Sequence, residues 1–282
     1  MVTTVRENGA VLILAATPIG NLGDASPRLR EALASATVIA AEDTRTLSHL
    51  VQALGIETSA KFLALHDHNE SSKAAEIVAL ATETDVVLVS DAGMPGISDP
   101  GYVVVRTAHD AGVRVSAIPG PSAVITALAV SGLPTDRFAF EGFVPRKGQR
   151  GFFDELAREP RTLVFYESPH RLAETLTVAR DAFGAERLGC VVRELTKMFE
   201  EVVRAPLGEL AERFDGENRG EIVLVIAGAD VVAVPLDVAV RDVRARVASG
   251  ERLKEASRAV AEATGIPARD LYNAALERDS GA

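Results

Sequence analysis

The chain holds 282 residues, 47% hydrophobic and 25% charged, with 30 Lys and Arg against 40 Asp and Glu for a net charge of −10. That length suggests about two globular domains at a typical ~150 residues each. The composition excludes a disordered chain, and no apolar stretch approaches the ~18 residues of a membrane span.

Near the N-terminus, Met1-Val2-Thr3-Thr4-Val5-Arg6-Glu7 lacks the charged-then-apolar layout of a secretory leader, which predicts a cytoplasmic protein with no membrane partner. Apolar runs at residues 11–16, 86–90 and 113–118 alternate with helical patterns, the signature of βαβ units around a parallel sheet. Between the first two, Leu47, Leu50, Val51 and Leu54 make a helical stripe closed by Gly55, with Asp43 or Thr44 as its N-cap. After Pro134 a second set follows: a strand over 162–166, a helix over 170–183 stopped by Gly184, and strands over 189–193, 200–204 and 221–227. The strand at 200–204 follows the previous one directly, so this second sheet is expected to be mixed. Cys190, the only cysteine, excludes an intramolecular disulfide, and its neighbours Leu188, Val191 and Val192 predict a buried strand thiol. From 231 onward the chain is Ala- and Arg-rich helical sequence. There the turn Thr264-Gly265-Ile266-Pro267 joins two helices, a helical hairpin with some likeness to a helix-turn-helix. The expected domains are 1–120, 121–230 and 231–282.

Open α/β sheets bind ligands beyond the carboxyl ends of their strands, and three unusual loops fall there. Thr17-Pro18-Ile19-Gly20-Asn21-Leu22-Gly23 exposes backbone amides in a fixed turn. The segment from Ser90 to Gly101 holds three glycines, two prolines and the carboxylates Asp91 and Asp99, suited to close approach of a ligand with hydroxyl or amino groups. Ile118-Pro119-Gly120-Pro121-Ser122-Ala123 opens a helix, with Ser122 either a cap or a ligand contact. Together they predict a cleft for a small molecule with polar and apolar parts. The P-loop, the nucleophile elbow and the dinucleotide fingerprint are all missing. His66-Asp67-His68-Asn69-Glu70 is read as a polar substrate-facing loop, not a metal site. Charges also gather at strand ends, in Glu42-Asp43-Thr44-Arg45, in Glu167-Ser168-Pro169-His170-Arg171 with Ser168 as N-cap and Pro169 at N1, and in Arg193-Glu194-Leu195-Thr196-Lys197, where internal ion pairing is the alternative to function.

These same segments, in unbroken order from about Leu12 to Gly228, resemble the ribosomal RNA small-subunit methyltransferase I family of the tetrapyrrole methylase superfamily. The resemblance implies two α/β domains, the first with a parallel sheet and the second mixed, plus a small helical C-terminal extension. It also implies S-adenosylmethionine as methyl donor, a homodimer, and 2′-O-methylation of a decoding-centre cytidine of 16S rRNA in the small ribosomal subunit. Carried onto this chain, the donor site is expected at Thr17, Pro18, Gly20, Asn21, Asp91, Gly93, Met94, Pro95, Gly120, Ser122, Ala123 and Tyr166. No metal is expected.

Methyl transfer from a sulfonium is an in-line displacement that gains most from holding the acceptor against the methyl carbon. A ribose hydroxyl needs a base or alkoxide stabilisation as well, and Glu42, Asp43, Glu167, His170, Arg193, Glu194 and Lys197 are the candidates, with the base left open. The rival readings are methylation of a small molecule such as a tetrapyrrole precursor, and a non-enzymatic RNA-binding assembly factor. For an acidic chain to meet RNA, Arg146, Lys147 and Arg150 in a glycine-bearing loop are the favoured phosphate contacts, ahead of the basic tail.

Overall fold

The computed structural model describes residues 10–66, 68–230 and 235–276. It divides between Ala229 and Asp230 into two compact units.

The first unit contains two five-stranded sheets. One is built from β1 (Val11–Ala15), β2 (Val38–Ala41), β3 (Lys61–Ala64), β4 (Val86–Val89) and β5 (Arg114–Ile118) in the order β3-β2-β4-β1-β5, with all pairs parallel. Its two faces are covered by α1 (Pro27–Ser35), α2 (Thr44–Ala53), α3 (Glu70–Glu83) and α4 (Tyr102–Asp110), which explains why β2 and β4 are buried at every position. Asp43 caps α2, its carboxylate accepting from the Arg45 amide at 2.8 Å. Sequence periodicity had pointed to β1, β4 and β5 but not to β2 or β3. β2 runs on from the Ala-rich sequence that closes α1, and β3 opens on a lysine, so neither stands out as a separate apolar run.

After α5 (Ala123–Val130), the second sheet comprises β6 (Phe138–Phe143), β7 (Thr162–Glu167), β8 (Leu188–Arg193), β9 (Glu201–Pro206) and β10 (Ile222–Ile226), ordered β6-β7-β10-β8-β9. It is mixed, because β6 and β7 are parallel and the remaining pairs antiparallel. The helix α5 packs Val124, Ala127 and Leu128 on one face of this sheet, against Val164, Val192 and Val225. On the other face lie α6 (Gln149–Leu156), α7 (Leu172–Phe183) and α8 (Leu207–Arg213), around Phe153, Phe165 and Phe183. Cys190 lies on β8, fully buried as expected, and burial pushes its thiol up to about 11.

Two local expectations are corrected. The helix expected from residue 170 begins at Leu172 with Arg171 at its N-cap, so Ser168 and Pro169 form a turn ahead of it and do not cap it. The strand β6 was not anticipated. Gly101 occupies the N-cap position of α4.

The second unit consists of α9 (Leu236–Ala248), α10 (Leu253–Thr264) and α11 (Ala268–Leu276) around Val240, Val243, Ala256, Val260 and Leu271. The expected hairpin is therefore two members of a three-helix unit. Gly265, at φ +73°, closes α10 as a left-handed C-cap. No helix among the described residues is long and apolar enough to cross a membrane.

Candidate active site

The order of the first sheet makes β4, β1 and β5 neighbours. Their carboxyl ends carry the three Gly- and Pro-rich loops, which the sheet therefore sets side by side. The first two are stitched together by a two-residue bridge. Thr17 donates its amide to the Gly93 carbonyl at 2.9 Å and accepts from the Gly93 amide at 3.2 Å, while its hydroxyl donates to the Ser90 carbonyl at 3.2 Å. Gly93 has φ +80°, a backbone conformation that L side chains rarely adopt, so the backbone disfavours a side chain there, although a Cβ would meet Ile19 Cγ2 at an ordinary 3.4 Å. The far end of the long loop is tied down by Glu70, whose Oε1 accepts from the amides of Gly101 at 2.8 Å and Val103 at 2.9 Å.

A cavity of about 440 Å³ opens over these loops, walled on its other side by the second sheet. Among the expected donor-site residues, Asp91, Gly93, Met94, Ser122, Ala123 and Tyr166 line it. Ser122 occupies the N-cap position of α5 but its hydroxyl makes no capping bond. The others do not line it: Thr17, Pro18 and Pro95 are buried, whereas Gly20, Asn21 and Gly120 are exposed, Asn21 accepting from the Gly23 amide at 2.9 Å and Gly120 packing on Ala16. Gly20 lies under the aliphatic stem of Lys197. Sequence reasoning missed Ile19, Ile97, Phe143, Leu195, Glu221 and Val223, all of which line the cavity. Phe143 and Glu221 lie at strand ends of the second sheet, each directly after a glycine, Gly142 or Gly220, that does not by itself tell which face the next side chain takes.

The charged strand ends divide sharply. Glu42 lines the cavity, and its Oε2 accepts from the Asp91 amide at 3.4 Å. Asp91 in turn accepts from the Asp43 amide at 3.1 Å, and burial lifts its carboxyl above the usual range against that bond. Asp43 itself is ion-paired with Arg45, which holds it down at about 2. Glu167 lines the cavity with its backbone turn, but its carboxylate is fully buried and taken by the Ser168 amide, Arg171 and Thr175. His170 is exposed and lies outside the cavity lining. Arg193 turns to Glu201 at 2.9 Å, and Arg213 holds that same glutamate at 3.0 Å. Lys197 bridges Glu194 at 2.9 Å and Glu221 at 3.1 Å, and these bonds outweigh the burial that would lower its ammonium, so it stays above the usual range. Internal pairing thus accounts for Arg193, Glu194 and Lys197.

Glu42, Asp91, Asp99 and Glu221 leave the lining acidic, and no lysine, arginine or histidine is among the described residues that form it. Such a site suits a cationic ligand with an apolar body. No group of three His, Cys, Asp or Glu among the described residues is arranged to hold a metal. His66 and His68 do not line the cavity; His66 is hydrogen-bonded to Asn69, and Asp67 lies outside the described residues.

The family profile of the tetrapyrrole (corrin/porphyrin) methylases matches residues 11–211, and that of the RsmI C-terminal HTH domain matches 234–279. The ribosomal RNA small subunit methyltransferase I of Mycobacterium tuberculosis is 48% identical, covering 96% of both chains. The chain belongs to this methyltransferase family. A family member from Pseudomonas aeruginosa is 43% identical over 96% of this chain and 98% of its own. Among solved structures, the methyltransferase CobJ superposes with a TM-score of 0.58 at 21% identity, over 79% of this chain and 95% of that one, which bears out the two-sheet fold. The segments from Ala16 to Lys197 that resembled the family fall within the matched span, and the C-terminal helices that had been read as a hairpin coincide with the family's own terminal domain.

Proposed function

We propose that the cavity binds S-adenosylmethionine and that the chain methylates the ribose 2′-hydroxyl of a decoding-centre cytidine in 16S rRNA. The observation that carries the reading is the acidic, partly apolar cavity over three glycine-bearing loops, in a chain nearly half identical to small-subunit rRNA methyltransferases. When bound, the donor supplies an electrophilic methyl group on a sulfonium.

This chain's residues then divide the work. Gly93 and Ala92 let the ligand approach the backbone, Met94 and Ile19 cover its apolar parts, and Asp91 and Ser122 stand ready for its polar groups. Glu42 lines the cavity beside Asp91, and of the expected acceptor-side residues we assign it to accept the proton of the ribose hydroxyl. The rigid bridge between Thr17 and Gly93 fixes the floor against which acceptor and donor are held in line. The same reading takes the partner to be the small ribosomal subunit and the working form to be a cytoplasmic homodimer.

The test is transfer of labelled methyl from S-adenosylmethionine to small subunits lacking the modification, with isolated 16S rRNA alongside. Label at one decoding-centre ribose is the expected result. Label on a nucleobase, or on neither substrate, refutes it.

A further inference from the structure

The parallel pairing of β6 with β7 contains one irregularity. Phe138, Ala139 and Phe140 face Thr162, Leu163 and Val164 in step, but the next partner of Tyr166 is Phe143, so β6 uses three residues where β7 uses two. The extra residue is accommodated at Gly142, whose φ of +71° lies in the left-handed region. Side chains alternate faces along a strand, so without this bulge Phe143 would point to the face opposite Phe140. With it, Phe140 and Phe143 both reach Tyr166, their ring centroids 5.0 and 5.2 Å from the tyrosine ring. Tyr166 and Phe143 both line the cavity, yet Phe143 remains 61% exposed.

Such exposure is not looseness. The next residue, Val144, is buried, donates its amide to the Tyr166 carbonyl at 3.2 Å and accepts from Arg171 at 2.8 Å. An aromatic ring is therefore held rigid and open at the cavity rim, which lowers the entropy lost when a flat group stacks on it. Two residues further on, Arg146 and Lys147 are exposed, and neither forms an ion pair among the described residues, whereas Arg150 is engaged by Asp154 at 2.9 Å. In a chain of net charge −10 with an acidic cavity, this is a local positive site beside an open aromatic face. Paired aromatic and cationic groups of this kind are how single-stranded nucleic acid is gripped, by stacking a base and holding its phosphate.

We propose that Phe143 is the stacking platform for the nucleobase of the target nucleotide, and that Arg146 and Lys147 hold the adjoining phosphates. The inference rests on the RNA-methylating reading and adds where the nucleotide docks. Phe143 is a positioning residue here, since it touches the base and not the reacting ribose oxygen.

The experiment compares wild type, Phe143→Ala, Phe143→Trp and the double variant Arg146→Ala/Lys147→Ala. Binding to unmodified small subunits is measured by filter retention across a salt series, with S-adenosylmethionine affinity measured by calorimetry on the same preparations. Phe143→Ala is expected to weaken subunit binding roughly 5- to 150-fold with an unchanged salt slope, the range for losing one stacked base. Phe143→Trp is expected to restore it. The double variant flattens the salt dependence by about one to two units of log–log slope. The double variant should not change donor affinity, and Phe143→Ala, at the cavity rim, should change it by less than about threefold. Unchanged subunit binding by Phe143→Ala, or a loss that Trp does not rescue, overturns the platform. Donor binding weakened by Phe143→Ala as much as subunit binding overturns it as well, because the ring then serves the donor. If wild type neither binds nor methylates subunits, the RNA reading fails first and the platform falls with it, an outcome visible without any variant.

Discussion

Glu70 is a buried carboxylate whose effect is exerted 31 residues away in sequence. Gly101, at the N-cap of α4, has no side chain with which to satisfy the first-turn amides. Glu70 Oε1 does so instead, at 2.8 Å to the Gly101 amide and 2.9 Å to that of Val103, and its negative charge also sits at the positive end of the helix. Two hydrogen bonds to a charged acceptor contribute about 1.5–3 kcal/mol each, and neutral ones about 0.5–1.5. Glu70→Gln, which keeps an acceptor of the same shape, is therefore expected to cost about 2 kcal/mol, and Glu70→Ala at least about 3. For a unit of this size the alanine variant corresponds to a melting temperature lower by roughly 6–12 °C. Because Gly101 ends the loop that floors the cavity, donor affinity should fall in the same order, glutamine before alanine. Urea unfolding and calorimetric titration with S-adenosylmethionine measure the two effects separately. An alanine variant within about 0.5 kcal/mol of wild type, with unaltered donor affinity, would refute the reasoning.

Gly93→Val forces a β-branched residue to φ +80° beside Ile19 and breaks the bridge to Thr17, so donor affinity should drop at least about tenfold in a variant that still folds; unchanged calorimetric affinity would count against the placement of the donor. Glu167→Gln should act on stability before chemistry, losing about 2–4 kcal/mol as the partner of Arg171 is weakened, and chemical denaturation checks it. Asp43 is held down at about 2 by Arg45, so any stability it contributes is complete above its ordinary value near 3.8 and is lost as pH falls through about 2; carboxyl titration followed by NMR should place its midpoint below that of the other aspartates. Cys190, buried and pushed up to about 11, should resist a thiol reagent at pH 8 in the folded protein and react once unfolded.

How much of this was legible in the sequence depended on whether the controlling force was local. Glycine and proline act within a turn, so the loops after β1, β4 and β5 stood out, and they do floor the cavity. Asp43 as a cap and Gly184 as a helix stop were equally local. The order β4-β1-β5 was not legible, because it is set by crossovers of the intervening helices, yet it alone makes those loops neighbours. Phe143 escaped notice for a related reason. Its direction depends on one extra residue in the pairing with β7, and a shift of one residue reverses a strand's faces.

The charged strand ends show the converse limit. An arginine or lysine after an apolar strand reads the same whether its carboxylate partner is close in space or missing, and here the partners arrive from elsewhere: Glu201 for Arg193, Glu221 for Lys197. With those cations paired and none of them in the lining, the cavity stays acidic, while Arg146 and Lys147, which form no ion pair among the described residues, follow Phe143 at the rim. Under the proposed function this separation of sign has a direct consequence. A cationic methyl donor is attracted inward, and a polyanionic RNA is repelled by the same lining, since the attraction and the repulsion come from the same charges. The RNA backbone must then be held at the rim, with only the target nucleoside turned in toward the donor. An acidic chain can therefore act on RNA without an overall basic surface, provided some cations, here Arg146 and Lys147, stand beside the opening.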